Sequence, residues 1–199
     1  MQSLIGGYQQ FFKKYFESDN NLYQELQHKQ SPHTLFLACC DSRVDPVLMV
    51  NAQPGDLFVV RNVANYVPPC NKEDNNSESL AAIELAVNYL PIKHIIILGH
   101  QDCAGVKLLA TDKLEKNSPT VWREQQKQLK NNIDKNYTKE TASEFEKINV
   151  NNACENLLTY CFVKDKIKNK TLSVTGWYFH LDSGKMETYN PEFKTFSFL

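Results

Sequence analysis

The sequence predicts an α/β fold: a central, mostly parallel β-sheet flanked by helices, with a helical arm at the N-terminus and an edge hairpin near the C-terminus. Three observations carry this. Short apolar runs at 34–39, 57–60 and 94–98 read as buried strands. Between the second and third, Leu80, Ile83, Glu84, Val87 and Leu90 recur at helical spacing, the pattern of a crossover helix joining parallel strands. Far downstream, residues 172–181, the turn Asp182-Ser183-Gly184-Lys185 and residues 186–189 read as strand, tight turn and antiparallel strand.

The elements can be justified in order. Tyr8, Phe11, Phe12, Tyr15 and Phe16 fall at i, i+3, i+4, i+7 and i+8, with Leu22 and Leu26 following, which predicts one or two amphipathic helices over residues 1–30. So aromatic a face needs a cover, either the chain's own core or a second subunit. The first strand follows Pro32. The crossover helix spans 77–90, with Ser77 as N-cap and Pro91 closing it. Residues 111–170 mix both charges freely, and Cys154, Leu157, Leu158, Cys161 and Phe162 recur at helical spacing. A pair of helices with solvated outer faces is predicted there.

With 199 residues, 42% of them hydrophobic, the chain is expected to form one domain over 1–199. A formal net charge of −1 lacks the cationic surplus that phosphate binding draws on, so no nucleic-acid partner is expected. The densest apolar run, Ile95-Ile96-Ile97-Leu98, falls far short of a bilayer span, so no membrane association is expected. Gln9, Gln10, Lys13 and Lys14 interrupt the aromatic N-terminal stretch, unlike a secretory signal, and a cytoplasmic location is expected. In that reducing compartment, six cysteines with a nearby histidine point to metal or catalysis before disulfides.

In an open parallel sheet, functional groups gather at the carboxyl ends of strands. Cys39-Cys40-Asp41-Ser42-Arg43 closes the first strand, and His100-Gln101-Asp102-Cys103 closes the Ile-rich one. His-x-x-Cys lets one turn present an imidazole and a thiolate to a single ion, and Cys39 can add a third ligand from a neighbouring strand. Two thiolates and one imidazole suit zinc, and three protein ligands leave the fourth position open, as in catalytic zinc sites. Taken alone, each motif has a plainer reading. His-x-x-Cys recurs by chance, and Asp41 could cap a helix and pair with Arg43. Their placement on two strand ends of one sheet favours the metal.

Cys39-x-Asp41-Ser42-Arg43, with His100-x-x-Cys103 following 61 residues after Cys39, resembles the β-class carbonic anhydrases. The stretch from Gln53 through Arg61-Asn62-Val63-Ala64-Asn65 is similar to their plant-type branch, as are Asn156-Leu157-Leu158-Thr159-Tyr160 and Gly176-Trp177-Tyr178. The resemblance implies one Zn2+ per chain on Cys39, His100 and Cys103, with Asp41 and Arg43 as the dyad beside it. It implies a carbon dioxide pocket shaped by Gln30, Phe58 and Val63, with Gln30 and Phe58 reaching it from the second subunit of a homodimer or larger homo-oligomer, on which the arm 1–30 would pack. Cys40 occupies a variable position and is not expected to be a ligand. Leu85 stands where that branch has a tyrosine, removing one hydroxyl from the pocket, and Ala104 replaces a commoner glycine.

The implied activity is carbonate dehydratase: reversible hydration of carbon dioxide to bicarbonate and a proton, by attack of a zinc-bound hydroxide that Asp41 orients and Arg43 steadies. Some relatives instead swing the aspartate onto zinc as a fourth ligand. The plant-like features here favour the open site. Two other readings keep the same zinc: hydrolysis of a sulfur analogue such as carbonyl sulfide or carbon disulfide, and a non-catalytic zinc-stabilised module. Loss of Asp41 or Arg43 would favour the latter, and both are present.

Overall fold

The computed structural model describes residues 1–17, 22–70, 78–111, 113–190 and 193–199. Six strands form one sheet: β1 Thr34–Cys39, β2 Leu57–Asn62, β3 His94–His100, β4 Ser173–Phe179, β5 Met186–Asn190 and β6 Thr195–Phe198, in the order β2-β1-β3-β4-β5-β6. The first four neighbours in that order are parallel, and β5 and β6 add antiparallel. The helices are α1 Gln2–Phe16, α2 Leu22–Leu26, α3 Pro46–Met49, α4 Glu78–Tyr89, α5 Ala104–Ala110, α6 Thr120–Asn131, α7 Ala142–Leu157 and α8 Cys161–Lys168.

The expected α/β class, the parallel strands and the crossover helix are all present. Ser77, the expected cap of α4, lies outside the described residues. Three details differ from the sequence reading. The first strand of the expected hairpin, β4, pairs with β3 inside the sheet, so the edge on that side is β6, whose polar-apolar alternation Thr-Phe-Ser-Phe spans only four residues. Residues 111–170 hold α6, α7 and α8 rather than two helices. The periodic residues 154–162 run across a break at 158–160, where Thr159 accepts a hydrogen bond from the Cys70 backbone and Tyr160 donates to the Pro68 carbonyl. Those tertiary bonds outweigh the local helical spacing.

Strand alternation sends β1 side chains to two cores. Leu35 and Leu37 join Ile83, Val87, Ile95, Ile97, Val150 and Leu157 beneath α4 and α7. Phe36 and Ala38 point the other way, to Val44 and Leu98, with Ile96, Trp177 and Phe179 only half-buried around them. Glycine matters where α7 meets the sheet: a Cβ on Gly99 would overlap the Val150 side chain, and one on Gly176 would come within 2.7 Å of it. Gly99→Ala therefore forces α7 away from β3. A loss of about 1–3 kcal/mol is expected in denaturant unfolding, the usual penalty for overpacking a filled core.

The arm forms a helical hairpin. Tyr23 of α2 packs against Phe16 at 5.1 Å and Phe11 at 5.6 Å between ring centroids. No residue of α1 is buried, and Leu4, Tyr8 and Phe16 are more than half exposed. No described helix is long and apolar enough to cross a membrane.

Candidate metal centre

The centre is built where β1 and β3, paired side by side, both end. Register pairs Ala38 with Leu98, which leaves Cys39 and His100 projecting from adjacent strands at the same end of the sheet. Asp102 then turns the chain through a left-handed conformation, φ 55°, and delivers Cys103 to the first position before α5. The sulfurs of Cys39 and Cys103 and a ring nitrogen of His100 lie within 4.8 Å of one another, and all three residues are buried.

Two features of this cluster fit a tetrahedral zinc ion. The sulfurs stand 3.9 Å apart, and two sulfurs each about 2.3 Å from one ion would be about 3.8 Å apart along a tetrahedral edge. His100 Nδ1 is 2.9 Å from the Gln101 carbonyl, which it meets as a donor, fixing the tautomer that leaves Nε2 as a bare acceptor. That Nε2 is buried without a partner. An orphaned buried nitrogen facing two thiols is costly unless something binds it.

The charges agree. The hydrogen bond from Cys103 pulls the Cys39 thiol well below its ordinary range, against the opposing effect of burial, while the same contact pushes Cys103 up. Two thiolates this close repel, so without a cation one keeps its proton; a divalent ion would take both as thiolates. His100 is raised in spite of the burial that alone would lower it, chiefly through Cys39.

Beside the cluster, Asp41 and Arg43 form a fork. Arg43 donates from Nε to Asp41 Oδ1 at 2.9 Å and from Nη2 to Oδ2 at 2.8 Å, and its backbone N–H reaches Oδ1 at 3.0 Å. The guanidinium holds the Asp41 carboxyl far below the usual carboxylate range. Arg43 is steadied in turn by Asp102, through its carbonyl at 2.9 Å and its carboxylate at 3.3 Å. Asp41 Oδ2 sits 3.9 Å from His100 Nε2, so the carboxylate borders the donor cluster while both its oxygens are engaged by Arg43.

Other groups brace the centre from behind. Glu146 of α7, buried and pushed up by that burial, accepts from the Cys103 backbone N–H at 3.0 Å and from the Tyr178 hydroxyl at 2.6 Å. Asn149, one helical turn on, donates to the carbonyl of Ala64, which sits at φ 57° in the tight 3-10 turn Val63–Asn65 after β2. Glu146, Asn149, Asp102 and Arg61 were not singled out from the sequence. Each acts through a long-range hydrogen bond; Glu146 and Asn149 could be signalled as polar residues on the buried face of α7, whereas Asp102, in an exposed turn, and Arg61, on the half-buried strand β2, carry no such signal.

The predicted pocket residues are placed less compactly. Val63 follows β2 directly and lies against Gly105, two residues beyond Cys103. Phe58 pairs with Leu35, four residues before Cys39 along β1, or about 13 Å at strand rise, and Gln30 lies exposed before that strand begins. Neither is brought to the donor cluster within one chain. Leu85 is 45% exposed on α4. Cys40, Cys70 and Cys161 are exposed and Cys154 is buried, all four as free thiols.

A family model for carbonic anhydrase matches residues 34–186, a span that includes every residue of the donor cluster and the fork. The chain belongs to the carbonic anhydrase family. A carbonic anhydrase from Helicobacter pylori strain J99 is 30% identical over 96% of this chain and 91% of its own length. One from Synechocystis sp. is 34% identical over 96% of this chain and 71% of its own. Among solved structures, the β-carbonic anhydrase CcaA superposes with a TM-score of 0.89 at 32% identity, covering all of this chain and 92% of that one. A tetrameric β-carbonic anhydrase from Sordaria macrospora superposes at 0.76 with 26% identity, covering 94% of each chain. The β-class resemblance read from the motifs therefore holds, and with it the assignment as a carbonate dehydratase.

Proposed function

We propose that this carbonic anhydrase hydrates carbon dioxide reversibly to bicarbonate and a proton at one zinc ion held by Cys39, His100 and Cys103, with Asp41 orienting the attacking water. The observation that carries the reading is the convergence of two sulfurs and a partnerless buried imidazole nitrogen beside a carboxylate already locked by arginine. Zinc in that site supplies a Lewis acid that lowers the pKa of water from about 15.7 to roughly 7.

The chain's own residues supply direction. Asp41, kept ionised by Arg43, is an acceptor only; it takes a hydrogen bond from the nucleophile and turns the free lone pair toward the carbon of the substrate. Because Arg43 already occupies both Asp41 oxygens, Asp41 is held off the metal, which favours the open site over the form with aspartate as fourth ligand. The apolar walls Val63 and Phe58 suit a substrate without charge or dipole, and Gln30 can donate to the developing carboxylate. The released proton leaves to bulk buffer. His180 is already paired with Glu187 at 2.5 Å, a structural role.

Phe58 and Gln30 lie too far from the donor cluster of their own chain, which supports a site completed across a homo-oligomer. The half-buried sheet face around Trp177 and Phe179 and the exposed aromatic arm are the two apolar surfaces such an assembly would cover. Hydration in the cytoplasm fits a chain whose described helices include no membrane span. The direct test is stopped-flow hydration of carbon dioxide by purified protein alongside elemental analysis. One zinc per chain and hydration well above the buffer rate are expected; a fully zinc-loaded protein without hydration would refute the reading.

A further inference from the structure

Arg61 belongs to none of the groups that make up the centre, yet its side chain grips the loop that carries them. It sits on β2, paired in register with Ala38 of β1, one residue before Cys39. From there the guanidinium crosses the end of β1 and meets three consecutive landmarks of the loop. Nε donates to the Cys39 carbonyl at 3.1 Å, and Nη2 donates to the carbonyls of Asp41 and Val44, both at 2.7 Å. Nη1 lies 3.7 Å from the Asp45 carboxylate.

The geometry points to Arg61 as a positioning residue that sets the direction of the Asp41 carboxylate, an inference that rests on the proposed function and deepens it. The direction of a side chain follows from its own peptide planes. Residues 40–45 lie between a strand and a short helix, outside any repeating ladder. Their backbone-to-backbone anchors are the Cys40 N–H on the Asn62 carbonyl at 2.8 Å, the Val44 N–H on the Asp41 carbonyl at 3.1 Å and, at the far end of the loop, the Met49 N–H on the Asp45 carbonyl at 2.9 Å. Arg61 adds the bonds that fix where the Asp41 carbonyl points relative to Cys39. Arg43 clamps the carboxylate from the far side. Asp41 is thus held at both ends by two different arginines: its carboxylate by Arg43, its carbonyl by Arg61. Only a planar guanidinium with donors in several fixed directions reaches all three carbonyls; an ammonium is a single point with a shorter span.

The test compares Arg61→Met, Arg61→Lys and the parent enzyme, each with zinc counted. If Arg61 positions Asp41, Arg61→Met keeps one zinc per chain but loses about tenfold or more in kcat, with KM for carbon dioxide changed less than about twofold; Arg61→Lys recovers part of the loss. The cobalt-substituted variants are expected to show altered visible spectra, because a loosened Asp41 changes the surroundings of the fourth coordination position. Parent-like kcat and an unchanged cobalt spectrum in Arg61→Met would overturn the inference. Should Arg61→Met fail to fold, Arg61→Lys decides by the same measures. Its crystal structure reads the claim without turnover: the Asp41–Arg43 fork is displaced if Arg61 sets it, and an unmoved fork rejects the inference even if the parent proves inactive.

Discussion

Replacing His100 with alanine, or Cys103 with serine, is expected to strip zinc from the protein and reduce carbon dioxide hydration by more than about 100-fold, which is the upper end of what losing a mere outer partner costs a metal site. The argument is one of ligand count. Three protein donors within 4.8 Å leave no spare, and the remaining pair cannot close a tetrahedron around the ion. Serine preserves the volume of Cys103 and its backbone bond to Glu146, so its effect isolates the sulfur. His100 is 1% exposed, so alanine also leaves a cavity, and a stability loss of about 1–3 kcal/mol accompanies the metal loss. Elemental analysis with stopped-flow kinetics reads the first effect and denaturant unfolding the second. Either variant retaining one zinc per chain at the parent rate would remove that residue from the ligand set.

What was legible in the sequence was whatever repeats or stands on a strand end. β1, β2, β3 and α4 announce themselves by apolar runs and helical spacing, and Cys39, His100 and Cys103 become a cluster once two parallel strands are placed side by side. The bracing was not legible. Arg61 looks like one more residue of an edge strand, Glu146 like one charge among many in a mixed segment, and Asp102 like a spacer inside His-x-x-Cys. Their meaning comes from partners 17 to 59 residues away that only the fold supplies. The same holds for the break between α7 and α8, where side-chain bonds to 67–70 defeat a continuous periodic pattern. Gln30 and Phe58 are a different case, since a single chain keeps them apart from the cluster they were expected to serve.

Asp41→Asn is expected to keep zinc yet lose roughly 100-fold in kcat, the scale of a reacting group misplaced by about 1 Å. Asparagine matches aspartate in shape but turns one acceptor oxygen into a donor NH2, and because each oxygen accepts from Arg43, that NH2 faces an Arg43 N–H in either orientation. One arm of the fork that gives Asp41 its direction thus becomes donor against donor. Removing Arg43 acts on the same carboxylate by charge. In the parent, Arg43 depresses the Asp41 carboxyl, so the ionised form and the stability it contributes persist above the ordinary carboxylate value near 4 and fade only as pH falls through the depressed one. Arg43→Gln lets that carboxyl rise, so both activity and unfolding stability are expected to fail at a higher pH than in the parent during acid titration. An acid limb identical in the two proteins would mean that the fork aims Asp41 without tuning it, and an Asp41→Asn variant hydrating carbon dioxide at the parent rate would mean that it does neither.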